Sequence, residues 1–154
     1  RRHKDGEVSE EQIARVARRL RAARRDQLRI VVTHQPVHVT RLEDEGNLLH
    51  GHTQALQAWA EAGADLVLGG HIHLPYVRPL ADSVAGLARP LWCVQAGTAV
   101  SRRVRGGIPN SVNVVRYAPA VRAEACIVER WDHAAAAGRF ERESRIEIPL
   151  SRTA

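Results

Sequence analysis

The apolar run Ala64-Asp65-Leu66-Val67-Leu68-Gly69 delivers the chain straight into Gly70-His71-Ile72-His73. A run this short and this apolar reads as a strand. Glycines at its end let the backbone turn sharply, so the alternate positions His71 and His73 are expected to aim two imidazoles around a common point. A second run, Leu28 to Thr33, is apolar and β-branched in the pattern of a buried strand of an α/β sheet, and it ends in His34-Gln35-Pro36. Three histidines are therefore expected at strand ends. Imidazole is a neutral ligand that suits Zn, Fe, Mn, Ni and Co alike.

The segments between these runs supply helices. Ser9-Glu10-Glu11-Gln12 reads as a capping box, with Ser9 as N-cap and two glutamates favourable to the helix dipole. Ile13, Val16, Ala17, Leu20 and Ala23 then recur at helical spacing, which leaves Arg15, Arg18, Arg19, Arg21 and Arg25 on a basic outer face. Residues 35–49 are polar and aperiodic and read as a long loop, of the kind that is usually functional or mobile. Thr53 to Ala62 fits a second helix stopped by Gly63, followed by strands at Asp65–Leu68, Tyr76-Val77 and Leu91–Val94. Beyond Thr98 the texture changes. Val112–Tyr117, Val121–Trp131 and Phe140–Ile148 alternate apolar with polar residues and read as antiparallel strands.

Composition bounds the rest. With 154 residues and 44% hydrophobic content, residues 1–154 suffice for a single domain or a partial one. The net charge of +6 is almost wholly arginine, since Lys4 is the one lysine. The chain has no run of about 18 apolar residues and no hydrophobic signal core, so a cytoplasmic protein without a membrane partner is expected. Cys93 and Cys126 lie in apolar runs without ligand spacing and are expected as reduced core residues. There is no GxSxG elbow, no GxxxxGK[ST] loop and no HExxH helix, which leaves serine hydrolase, P-loop NTPase and zincin readings without support.

With His34 after one strand and Gly70-His71-Ile72-His73 after another, the chain resembles the C-terminal portion of the calcineurin-like metallophosphoesterases of the bacterial branch. Asp65 to His73 is similar to their GHxH motif and Thr33-His34-Gln35-Pro36 to the isolated histidine motif before it. Gln95-Ala96-Gly97-Thr98 and Asn110 to Val114 are similar to segments that follow. The resemblance covers roughly residues 9 to 148. It implies the C-terminal half of a four-layer α/β/β/α sandwich with a strand-rich antiparallel C-terminal part. It also implies two divalent metal ions (Mn, Fe, Zn, Ni or Co), His34 and His71 on one and His73 on the other, and hydrolysis of a phosphomonoester or phosphodiester by metal-activated water.

The family's first three motifs, DxH, GDxxD and GNH, are missing, so the chain is expected to be inactive alone. Histidines bring no negative charge to offset two neighbouring cations. The expected partners are a phosphate-ester substrate and either the N-terminal half of the same enzyme or a second copy, joined at an exposed sheet edge. A chain without methionine that opens on charged residues before a helix fits such a fragment. His38 and His52, with His50, surround the long loop and are the candidates for contact with the phosphate or for acid catalysis. Arg102, Arg103 and Arg105 either clamp a phosphate or form a solvated face. Two other functions stay open: an arginine-rich module that binds nucleic acid, for which an aromatic content of 4% offers little base stacking, and a single structural metal held by the three histidines.

Overall fold

The protein's structure, a computed structural model, describes residues 5–152. Helix α1 (Glu10–Arg21) begins where the capping box predicts: the Gln12 amide donates to Ser9 Oγ at 3.3 Å, and the Ser9 amide donates to Gln12 Oε1 at 2.9 Å. Its Ile13, Ala17 and Leu20 are buried. Strands β1 (Ile30–Val32), β2 (Leu66–Gly69), β3 (Tyr76–Pro79) and β4 (Trp92–Gln95) form one sheet in the order β1-β2-β4-β3, with helix α2 (His52–Glu61) between β1 and β2 in the chain. The first three strands of that order are parallel, and β3 runs antiparallel to β4 at one edge. Strands β5 (Ser111–Arg116), β6 (Ala125–Ala134) and β7 (Arg139–Pro149) make a second, antiparallel sheet. The hairpin between β6 and β7 turns through Ala135 to Gly138, where Gly138 supplies a φ of 63°.

Strand pleating sorts the first sheet into two faces. Val31, Val67 and Cys93 pack with Leu20, Leu56 and Trp59 of the helices, while Leu66 and Val94 pack with Cys126, Val128 and Ile148 of the second sheet. The layers therefore run helices, sheet, sheet. The α/β plan with a separate antiparallel part is present, and both helices belong to the first of the two cores. Cys93 and Cys126 are free and buried, one in each core, and burial pushes their thiols up to about 12 and about 11. No helix among the described residues is long and apolar enough to cross a membrane.

At the amino end of β2, Asp65 is buried and accepts from the Arg29 amide at 2.9 Å, Arg89 Nη2 at 3.1 Å and Arg152 Nη1 at 3.1 Å. One carboxylate thus fastens β2 to the chain before β1, to the segment before β4 and to the residues after β7, with two guanidinium groups facing its single negative charge. The segment read as a structureless loop contains a 3-10 turn, Leu42–Asn47. Its pattern escapes periodicity because the buried residue is Asp44, while Leu42 points to solvent.

This layering makes a graded stability prediction. Leu66→Ala, at the floor between the two sheets, lowers unfolding stability by about 2–5 kcal/mol, whereas Val32→Thr, on a residue 73% exposed, changes it by no more than about 0.5 kcal/mol. Urea denaturation of the two variants checks this, and equal losses would contradict the assignment of faces.

Candidate metal centre

Parallel pairing brings the histidines together. Beyond the last paired residues, Val32 and Leu68, the Thr33 amide donates to the Leu68 carbonyl at 2.9 Å and the Gly70 amide donates to the His34 carbonyl at 3.0 Å. The two strand ends are zipped for two residues past the sheet, and their side chains meet there. His34 Nε2 stands 3.3 Å from His71 Nδ1, with the rings edge to face at 69°. One of these two nitrogens carries the shared proton when no metal is bound.

The turn itself departs from expectation. The left-handed conformations fall on His71 (φ 68°) and His73 (φ 57°), not on Gly69 or Gly70. Left-handed backbone in residues with a Cβ costs of order 1–3 kcal/mol and persists where surrounding contacts enforce it, typically at binding sites. Those contacts are visible. Ile72 is buried between the two histidines, and its amide donates to the Gly70 carbonyl at 2.8 Å. The same carbonyl accepts a short hydrogen bond from the side-chain amide of the fully buried Gln95. Gly69 is needed for close approach: a Cβ there would lie 2.5 Å from Gln95 Oε1 and 3.5 Å from Pro36 Cα.

His73 points elsewhere. Its Nδ1 lies 2.8 Å from the Arg103 carbonyl oxygen. A carbonyl can only accept, so Nδ1 carries the hydrogen and Nε2 keeps the lone pair, the tautomer a metal-bound histidine takes when a carbonyl orients it. His71 and His73 line a cavity of about 260 Å³ with Asn47, Ile72, Arg103, Val104 and Arg105. Of the three arginines read as a possible clamp, Arg105 is committed to Asp44 and Glu43, and Arg103 is the exposed one at the cavity wall.

The donor set fits a half-site for a divalent cation. Two nitrogens bound to one tetrahedral zinc at about 2.0–2.1 Å lie about 3.3 Å apart, which is the His34–His71 separation. Among the described residues no three His, Cys, Asp or Glu side chains gather closely enough to hold an ion, so carboxylate ligands are not assembled here.

His38 and His52 do not line this cavity. His38 sits beside Tyr76, whose hydroxyl donates to the His38 carbonyl at 2.5 Å, and the Nδ1–H of His52 donates to the Leu49 carbonyl at 2.9 Å. Burial holds the His38 imidazole below its ordinary pKa, helped by the nearby Arg78 and His52. At neutral pH that favours the basic form of the ring, which accepts a proton. Gln95, Asp44 and the Arg103 carbonyl escaped the sequence reading. Only Gln95 left a trace, as a polar residue closing an otherwise apolar strand.

No family model and no curated protein matches the chain.

The His38 environment sets a pH dependence. Because the folded state binds this proton less readily than the unfolded chain, the stability His38 contributes is present above the ordinary histidine pKa of about 6.5 and is lost as pH falls through that value toward the folded pKa. His38→Gln therefore has a shallower fall in Tm between pH 7.5 and pH 5 than wild type. Thermal melts across that range test it, and parallel curves would contradict the burial effect.

Proposed function

We propose that this chain supplies the C-terminal histidine ligands of a metal-dependent phosphoesterase of the calcineurin-like kind, which hydrolyses a phosphomonoester or phosphodiester. The observation that carries the reading is the facing pair His34 Nε2 and His71 Nδ1, 3.3 Å apart at the carboxyl ends of two parallel strands. Ligands of open α/β sheets bind at such strand ends. His34 and His71 hold one divalent ion, and His73, through Nε2, holds the other. When bound, the ions supply Lewis-acid polarisation of a phosphoryl oxygen and a water made nucleophilic near neutral pH.

The remaining work falls to the chain's own groups. Arg103, exposed at the cavity wall beside His73, meets the negative charge of the phosphate. Neutral rings cannot offset two cations, so carboxylates from the N-terminal half of the same enzyme complete the centre. The open edge of β1, where Val32 is exposed, is where that half continues the sheet, and its helices would complete the four-layer sandwich. A second reading, a nucleic-acid-binding module, rests on the exposed Arg15, Arg18, Arg19 and Arg21 along α1 and Arg25 in the turn after it.

The test is manganese-dependent hydrolysis of bis(4-nitrophenyl) phosphate by this chain, by a chain extended upstream with native sequence, and by the extended chain carrying His71→Ala. Turnover is expected from the extended wild type alone, with His71→Ala reducing it by more than about tenfold, as loss of a direct ligand exceeds loss of a supporting contact. No turnover from either wild-type chain, with RNA binding that falls steeply with salt, would favour the second reading.

A further inference from the structure

A buried carboxylate lies 29 positions before His73 in the chain, inside the segment that reads as a loop. Asp44 is fully buried. One of its oxygens takes a short ion-paired hydrogen bond from Arg105 Nη1 and a longer one, at 3.4 Å, from Asn47 Nδ2. Its other oxygen meets no donor among the described residues. A buried carboxylate with so few donors depends heavily on its one guanidinium. Arg105 also reaches Glu43 Oε1 at 3.0 Å, so its planar fork is held between two adjacent carboxylates.

Arg105 lies two residues beyond Arg103, whose carbonyl receives the His73 Nδ1–H. On the other side of Arg103, its amide donates to Ser101 Oγ at 3.1 Å, and the Ser101 amide donates to Thr98 Oγ1 at 3.1 Å. The Asn110 side-chain amide closes this loop onto the Thr98 and Ser101 carbonyls at 3.1 and 2.9 Å. The carbonyl that orients His73 is thus clamped from within its own loop at residues 98–101, and to the rest of the protein by the Asp44–Arg105 pair.

We propose that Asp44 is a positioning residue for His73, acting through Arg105 and the Arg103 carbonyl to fix which ring nitrogen His73 offers to a ligand. Asp44 touches neither histidine nor substrate. An imidazole without a fixed partner samples both neutral tautomers, and only the one with hydrogen on Nδ1 leaves Nε2 ready to coordinate. The tautomer claim stands on the chain's own geometry; its consequence for metal affinity rests on the phosphoesterase reading.

The test is long-range proton–nitrogen NMR of the metal-free, full 154-residue chain at about pH 8.5, where unperturbed histidine rings are neutral. Wild type is expected to show His73 as a single Nδ1–H tautomer. Asp44→Asn and Arg105→Gln should both shift it to a mixture, Arg105→Lys should partly restore it, and Arg102→Gln, on an exposed neighbour outside the network, should leave it unchanged. Where Asp44→Asn does not fold, Arg105→Gln tests the same link from its partly exposed side. Zinc titration of the same proteins, followed at the His73 ring signals, should show about tenfold weaker binding at that histidine in Asp44→Asn and Arg105→Gln. A wild-type His73 protonated on Nε2, or an unchanged tautomer in the folded Arg105→Gln protein, would overturn the proposal. A tautomer that shifts as expected in a chain that binds no zinc would support the positioning role and count against the metal reading instead.

Discussion

Two neighbouring strands that run the same way must present their carboxyl ends on the same side of the sheet, and the rest of this structure follows from that constraint. Because β1 and β2 are parallel, the connection between them has to cross back over the sheet, and α2 makes that crossing. The hydrogen-bond ladder then continues beyond the strands, through Thr33 to Leu68 and Gly70 to His34. A slip of that ladder would separate His34 from His71. Register in turn is fixed by burial: Val31 and Val67 face the helices while Leu66 and Leu68 face the second sheet, so a one-residue shift would exchange the faces.

The two ends of β2 are built differently. At the amino end, Asp65 gathers three partners from distant parts of the chain into a buried ionic tie. At the carboxyl end, the backbone bends through two left-handed histidines that local preference opposes. Gln95 and Ile72 hold that bend in place, one by a hydrogen bond to the Gly70 carbonyl and the other by apolar burial. The histidines of the candidate centre are in this way held by neighbouring side chains.

Much of this was legible in the residues. The capping box at Ser9 and Gln12, the apolar runs of the parallel strands and the alternation in the last third each reflect a local rule, and each marks a real element. The histidines were visible because they follow such runs directly. Less visible was how they are held. By sequence the sharp turn falls to the glycines, since Gly69 and Gly70 suit it best, yet Gly69 makes room for the buried Gln95 side chain instead. The tie from Asp44 to Arg105 spans 61 residues, and the acceptor that orients His73 is a backbone carbonyl, which every residue possesses. Neither leaves a periodic trace. His38 and His52 stand out by their nearness in sequence to the loop, and the fold sets His38 beside Tyr76 and His52 on the Leu49 carbonyl.

The central claim is that His34 and His71 form one ligand pair created by strand register. Cobalt(II) titration of the full chain, followed by its visible ligand-field absorption, tests it most directly. The account predicts saturable binding that weakens by more than about tenfold in both His34→Ala and His71→Ala, with neither change adding much to the other in the double variant. Equal cobalt affinity in wild type and both variants would contradict it.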